Sequence, residues 1–183
     1  MGESMGFKDL FKKNKPPPDP LRDLTLSNLK VGYFLDYDLK TWEVTAYNVY
    51  DFSEGDKAHE WQLKSSEETV YLELESDDED YWSWSRKIPF GSLGSGLKEH
   101  IQQHGDPPDE IEFEGMTYYL EETAGGHFLK GGQEPGREFL RWSFADESGK
   151  KLLEIEQWGE NDFEASAGQE VEEYQFTNIL PRG

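Results

Sequence analysis

From Val31 onward the chain alternates short aromatic and β-branched runs with clusters of turn-forming residues. Tyr33–Leu39, Trp42–Phe52, Glu60–Lys64, Val70–Glu75 and Tyr81–Ser85 read as strands. The residues between them, Asp38–Thr41, Ser53–Asp56, Ser65–Glu68 and Ser76–Asp80, carry turn chemistry. Within Val70–Glu75, hydrophobic and acidic positions alternate over the second half, the period of a half-buried strand. The segments Val31–Leu39 and Ile111–Leu120 have the same strand character. Between the two strand-rich stretches, Gly91–Gly96 reads as a flexible joint and Leu97–His104 as a short helix, stopped by Gly105-Asp106-Pro107-Pro108.

The two stretches repeat one another. Glu60-Trp61-Gln62-Leu63 is echoed by Arg141-Trp142-Ser143-Phe144, and Val70–Glu75 by Lys151–Glu156, both at an offset of 81 residues. At that same offset Trp82 meets Phe163 and Ser85 meets Ser166. The pattern predicts a mainly β fold, with two similar five-stranded halves and one short connecting helix, forming a barrel or a sandwich. Each half alone is too small to bury much core, so the halves are expected to pack as one domain. The predicted divisions are a tail and linker over 1–24, a first half over 25–90, a joint and helix over 91–110, and a second half over 111–183.

Composition supports a packed core made largely of rings. Only 34% of the 183 residues are hydrophobic, yet 6 Trp, 9 Tyr and 11 Phe are present. Each ring buries roughly 150–250 Å². The charge is unequally spread. Residues 1–30 hold six basic and four acidic side chains, whereas residues 31–183 hold 12 basic and 35 acidic ones. The body therefore carries a net charge of −23, which opposes nucleic-acid binding because a phosphate backbone is held by Lys and Arg. The same field favours a basic protein partner. In the tail, Phe7, Leu10 and Phe11 fall at helical spacing among Lys8, Lys12, Lys13 and Lys15. Residues 5–15 are thus a short basic amphipathic stretch suited to peripheral contact with an anionic membrane. Pro16-Pro17-Pro18-Asp19-Pro20 reads as a stiff spacer.

Candidate chemistry is sparse. With no cysteine, the chain has no disulfide, thiolate nucleophile or Cys-ligated metal. This fits a cytoplasmic location. Gly91–Gly96 lacks the Lys-Ser/Thr that completes a phosphate loop, because Leu97 comes next. His100 and His104 have zincin spacing, but Ile101 stands where the catalytic glutamate belongs. Asp77–Asp80 lacks the alternating ligands and glycine of a calcium loop and reads as a solvated hairpin tip. Glu73, Glu75, Glu154 and Glu156 read as an acidic solvent face opposite Leu72, Leu74, Leu153 and Ile155. No catalytic residue, metal or cofactor is predicted. Trp42, Trp61, Trp82 and Trp142 are the candidate ligand-binding residues, should the rings line a cavity instead of filling the core.

Val31-Gly32-Tyr33-Phe34, Trp42-Glu43-Val44, Glu60-Trp61-Gln62-Leu63, Val70-Tyr71-Leu72-Glu73 and Tyr81-Trp82 together resemble a bacterial uncharacterised family, domain of unknown function 4178. The resemblance spans roughly residues 26–165 and implies a β-rich bacterial domain with no assigned activity. It supplies no catalytic residues. The functional expectation is a non-enzymatic acidic β-domain, serving as a protein-interaction or accessory module in the bacterial cytoplasm, with membrane contact through the tail. The alternative is a small-ligand-binding β-barrel with an aromatic-lined cavity.

Overall fold

The computed structural model describes residues 24–53, 55–76 and 78–182. Residues 1–23 of the basic tail and linker predicted over 1–24 lie outside the described residues, as does Asp77 of the acidic run. The first half contributes β1 (Phe34–Tyr37), β2 (Lys40–Phe52), β3 (Lys57–Lys64), β4 (Thr69–Ser76) and β5 (Asp80–Ile88). Helix α1 (Leu97–His104) follows. The second half contributes β6 (Glu110–Phe113), β7 (Met116–Lys130), β8 (Arg137–Ala145), β9 (Lys151–Gly159) and β10 (Asp162–Val171). A final strand, β11 (Thr177–Leu180), pairs back onto β1.

The two halves are built alike. Each opens with a four-residue strand that hairpins into a long one, thirteen residues in β2 and fifteen in β7. Each opening hairpin turns on two residues with positive φ, Asp38-Leu39 in the first half and Glu114-Gly115 in the second. This is the backbone that a tight two-residue hairpin requires. All pairings are antiparallel, in the order β11-β1-β2-β3-β4-β5-β10-β9-β8-β7-β6, with β2 also paired to β7. That last pairing closes eight strands, β2–β5 and β7–β10, into a barrel-like ring.

The ring has two seams where the halves meet, and a glycine sits at each. Gly126 pairs with Phe52 across β7 and β2, and Gly168 with Ser85 across β10 and β5. A Cβ on Gly126 would run into the Asp51 carbonyl oxygen, and one on Gly168 into that of Trp84. Only glycine lets the backbones approach this closely.

Because neighbouring strand residues point to opposite faces, the register sorts side chains between the lumen and the outside of the ring. Most of the apolar set points outward. Trp61, Leu63, Leu72, Leu74 and Trp82 pack under β1 and the 3₁₀ turn at Leu26–Asn28, through Leu26, Leu29, Leu35 and Tyr37. Trp142, Phe144, Leu153 and Ile155 pack under α1 and β6, through Leu97, Ile101, Ile111 and Phe113. Each flanking layer is also hydrogen-bonded to its tryptophan. Trp61 Nε1 donates to the Leu29 carbonyl at 3.0 Å, and Trp142 Nε1 to Asp106 Oδ1 at 3.0 Å. The chain therefore has two outer apolar cores and a ring between them.

β3 begins earlier than predicted, at Lys57, and β5 runs on to Ile88. But β1 is shorter than Tyr33–Leu39 because Asp38 and Leu39 form its turn, and Ile111–Leu120 is divided between β6 and β7 by the turn at Glu114-Gly115. β11 was not predicted. Its four residues alternate too weakly to register as a strand, and only its pairing with β1 defines it.

Candidate functional site

The side chains facing the lumen are polar to a degree the alternation could not reveal. Glu60 of β3 lies opposite Glu73 of β4, and Arg141 of β8 opposite Glu156 of β9. Ser166 of β10 lies between Lys87 of β5 and Glu154 of β9. Glu60, Glu73, Arg141 and Glu156 are all buried. The expected acidic solvent face is thus a buried charge cluster. Of the four repeated glutamates, Glu73 and Glu156 are buried, Glu154 is half-buried and Glu75 is exposed at the rim. The correction has a physical reason. The ring closes on the acidic face, so the face opposite the leucines is inside.

Arg141 organises the cluster. Its guanidinium takes Glu73 with both terminal nitrogens, at 2.8 and 3.1 Å, and reaches Glu156 at 3.2 Å. Such forked pairs are the strongest of the charge-assisted hydrogen bonds. Glu154 stands 3.7 Å away. The guanidinium also lies 3.9 Å from the centre of the Tyr50 ring. Tyr50 belongs with Phe52, Phe128, Phe139 and Trp158 to an aromatic wall on one side of the lumen. Arg141 Nε is buried with no hydrogen-bond partner among the described residues. Lys87 supplies the second cation, bonding Glu156 at 2.8 Å and Glu164 at 2.9 Å.

Electrostatics follow from this placement. Burial pushes Glu60 up to about 7, and the neighbouring charge of Glu73 adds to the effect, against the hydrogen bond donated by Asn48 at 2.8 Å. Burial likewise raises Glu73 and Glu154, although Arg141 opposes it. Glu156 goes the other way: burial would raise it, but Arg141 and Lys87 together hold it below the usual carboxylate range. Arg141 stays charged because Glu154, Glu73 and Glu156 outweigh its own burial.

The cluster plugs the lumen and leaves a cavity at either end. One end holds two adjoining cavities, of about 360 and 290 Å³. The smaller is lined by Glu73, Glu75, Glu121, Glu122 and Glu154 and by no basic side chain. Arg141 lines the larger, beside Glu75 and Glu122. The other end is a cavity of about 440 Å³ whose lining includes Lys87, Lys130 and Arg137. The two mouths thus differ in sign.

The predicted ligand-binding tryptophans lie elsewhere. Trp42, Trp61, Trp82 and Trp142 are all buried in the two outer cores, on the far side of the ring wall from the charge cluster. Trp42 also lines an outer groove of about 380 Å³ between β1, β5, β6 and β10. The lumen residues that sequence reasoning missed are Glu60, Lys87 and Arg141. A signal existed at the offset of 81, where Glu60 in one half is answered by Arg141 in the other.

The remaining motifs fall on the surface. His100 and His104 stack on one another at 4.3 Å along α1. No group of three His, Asp or Glu side chains among the described residues is arranged to hold a metal ion. Residues 78–80 are exposed at the tip between β4 and β5. No helix among the described residues is long and apolar enough to cross a membrane.

The model of a family described as a domain of unknown function, DUF4178, matches residues 30–173. An uncharacterized protein of Aquifex aeolicus (strain VF5) is 29% identical over 183 aligned positions, covering 97% of this chain and 100% of the relative. No solved structure matches the chain.

Proposed function

The chain belongs to the DUF4178 family, and from that premise we propose that it is a non-enzymatic binding domain whose acidic ring mouth docks a basic segment of a protein partner. One observation carries the reading: five glutamates line a cavity with no basic side chain in its lining, and Arg141 behind them pairs with two, Glu73 and Glu154. Next to it, Arg141 offers a buried Nε–H without an acceptor among the described residues. A basic peptide matches both features. Its side chains meet the carboxylates, and its backbone carbonyl accepts from Arg141. The charge of the whole chain, −21, steers such a partner inward. In this reading the domain works in the bacterial cytoplasm, and basic residues 5–15 hold it against an anionic membrane surface.

The test is calorimetric titration with a short oligolysine peptide at low and high salt. Replacing Glu75, Glu121 and Glu122 by Gln is expected to weaken binding severalfold. Replacing three exposed acids away from the mouth, Glu99, Glu160 and Glu173, is expected to change it little. Equal losses in the two triple variants would mean that the peptide senses only net charge, and the reading would fail.

A further inference from the structure

The opposite mouth has a chemistry that the acidic end does not explain. Its cavity of about 440 Å³ lies within the size range of small-molecule sites. Three of the chain's 18 basic side chains, Lys87, Lys130 and Arg137, converge on it, against Glu60 and Glu164. With Glu60 raised to about 7, its carboxyl is largely neutral below that pH. In a chain with 39 acidic residues, this cavity gathers three cations against two carboxylates.

The cations are held in different ways. Lys87 is committed to Glu156 and Glu164, and Arg137 pairs with Asp162 at 2.6 Å. Lys130, the exposed last residue of β7, takes part in none of these pairs. Arg137 also lies 5.0 Å from the ring centre of Trp158. Trp158 in turn carries an indole N–H that is buried and has no acceptor among the described residues. Phe128 meets Trp158 edge-on at 5.5 Å, and both rings line the cavity with Tyr71. Cationic donors, an unanswered N–H and flat apolar walls thus share one opening.

We propose that this mouth binds a small organic anion with an aromatic body. Lys130, Arg137 and the Trp158 indole N–H hold its anionic head, and Phe128 and Tyr71 flank its ring. Lys130 supplies the charge not already committed within the protein. Arg137 exchanges its exposed pairing with Asp162 for one to the ligand. The assignment stands apart from peptide docking at the acidic mouth, because the charge cluster around Arg141 separates the two cavities.

The probe is phenyl phosphate, titrated into ¹⁵N-labelled full-length protein while the tryptophan indole N–H signals are followed. The Trp158 signal, identified with Trp158→Phe, should shift and saturate. The signals of Trp61 and Trp142 should stay in place, since their N–H groups are bonded to Leu29 and Asp106. Lys130→Ala and Arg137→Ala should each raise the dissociation constant about fivefold or more, with the Trp61 and Trp142 signals reporting an intact fold. Inorganic phosphate should bind more weakly than phenyl phosphate. An unsaturable Trp158 shift, unchanged affinity in both variants, or equal affinity for the two probes would overturn the proposal.

Discussion

Arg141 stands 81 residues after Glu60, on the corresponding strand of the other half, and carries the opposite charge. Around it the offset preserves charge: Glu73 answers Glu154, and Glu75 answers Glu156. The exchange at this one position places a guanidinium among glutamates that would otherwise repel one another in a closed space. It makes one ring from two acidic faces. Without it, Glu73 would be buried without a counter-charge, and Glu156 would be left with Lys87.

Removing that counter-charge should therefore be severe. Arg141→Ala leaves Glu73 buried and unpaired and Glu156 with Lys87 as its remaining cation, a change that costs about 3–5 kcal/mol in comparable clusters. Urea denaturation at pH 7 should show a loss of that order. The deficit should shrink as pH falls, because protonation discharges the stranded carboxylates. Adding Glu73→Gln to Arg141→Ala should recover part of the loss.

Glu60 sets a pH dependence of its own. Its folded value near 7 lies above the ordinary 4.5, so between those values the folded protein binds more protons than the unfolded one. Its contribution is greatest below about pH 4.5 and declines as pH rises towards 7. The full swing is about 3 kcal/mol at 1.36 kcal/mol per pH unit. Glu60→Gln keeps an oxygen for Asn48 to donate to but cannot ionise. The variant should match the parent near pH 4.5 and exceed its stability at pH 8 by up to about 3 kcal/mol. Parallel denaturation curves at both pH values check this. An equal difference at the two would dismiss Glu60 as the titrating group.

The seams should tolerate no side chain. Gly126→Ala and Gly168→Ala each drive a methyl group towards a backbone carbonyl of the partner strand. Backbone cannot give way as a flexible side chain can, so each should cost at least the ~1–3 kcal/mol typical of overpacking. Gly149→Ala, in a turn with open space around it, should cost less and only through its positive φ. Thermal melts of the three variants give the ranking.

The two tryptophan anchors should fail separately. Trp61→Phe leaves the Leu29 carbonyl without its donor, and Asp106→Ala leaves the Trp142 indole N–H without its acceptor. A buried polar group so stranded costs about 1–3 kcal/mol. Hydrogen exchange should quicken around Leu26–Leu29 in the first variant and around α1 in the second. Exchange that quickened evenly over the whole chain in both would mean the two outer cores open as one.

The strands of the first half were legible because aromatic and β-branched runs alternate with turn residues, and the helix because Gly96 and Gly105 bracket it. Trp61 and Trp142 could be matched by spacing alone. The lumen could not be read that way. Alternation at Leu72-Glu73-Leu74-Glu75 states that leucine and glutamate lie on opposite faces, and it is silent on which face is enclosed. An acidic face is ordinarily the solvated one, and that expectation failed here because two flanking layers cover the leucines instead.

The sequence by itself determined a β-rich chain, two similar halves, an acidic body and a set of rings large enough for a core. Those are local properties, written in periodicity, turn residues and composition. Tertiary structure alone decided that β2 pairs with β7. That closure turned the glutamate faces inward, brought Arg141 against Glu73 from 68 residues away and gave the two mouths opposite sign. Ring closure is a long-range event that no stretch of ten residues encodes, so the chemistry it creates became visible only in the folded chain.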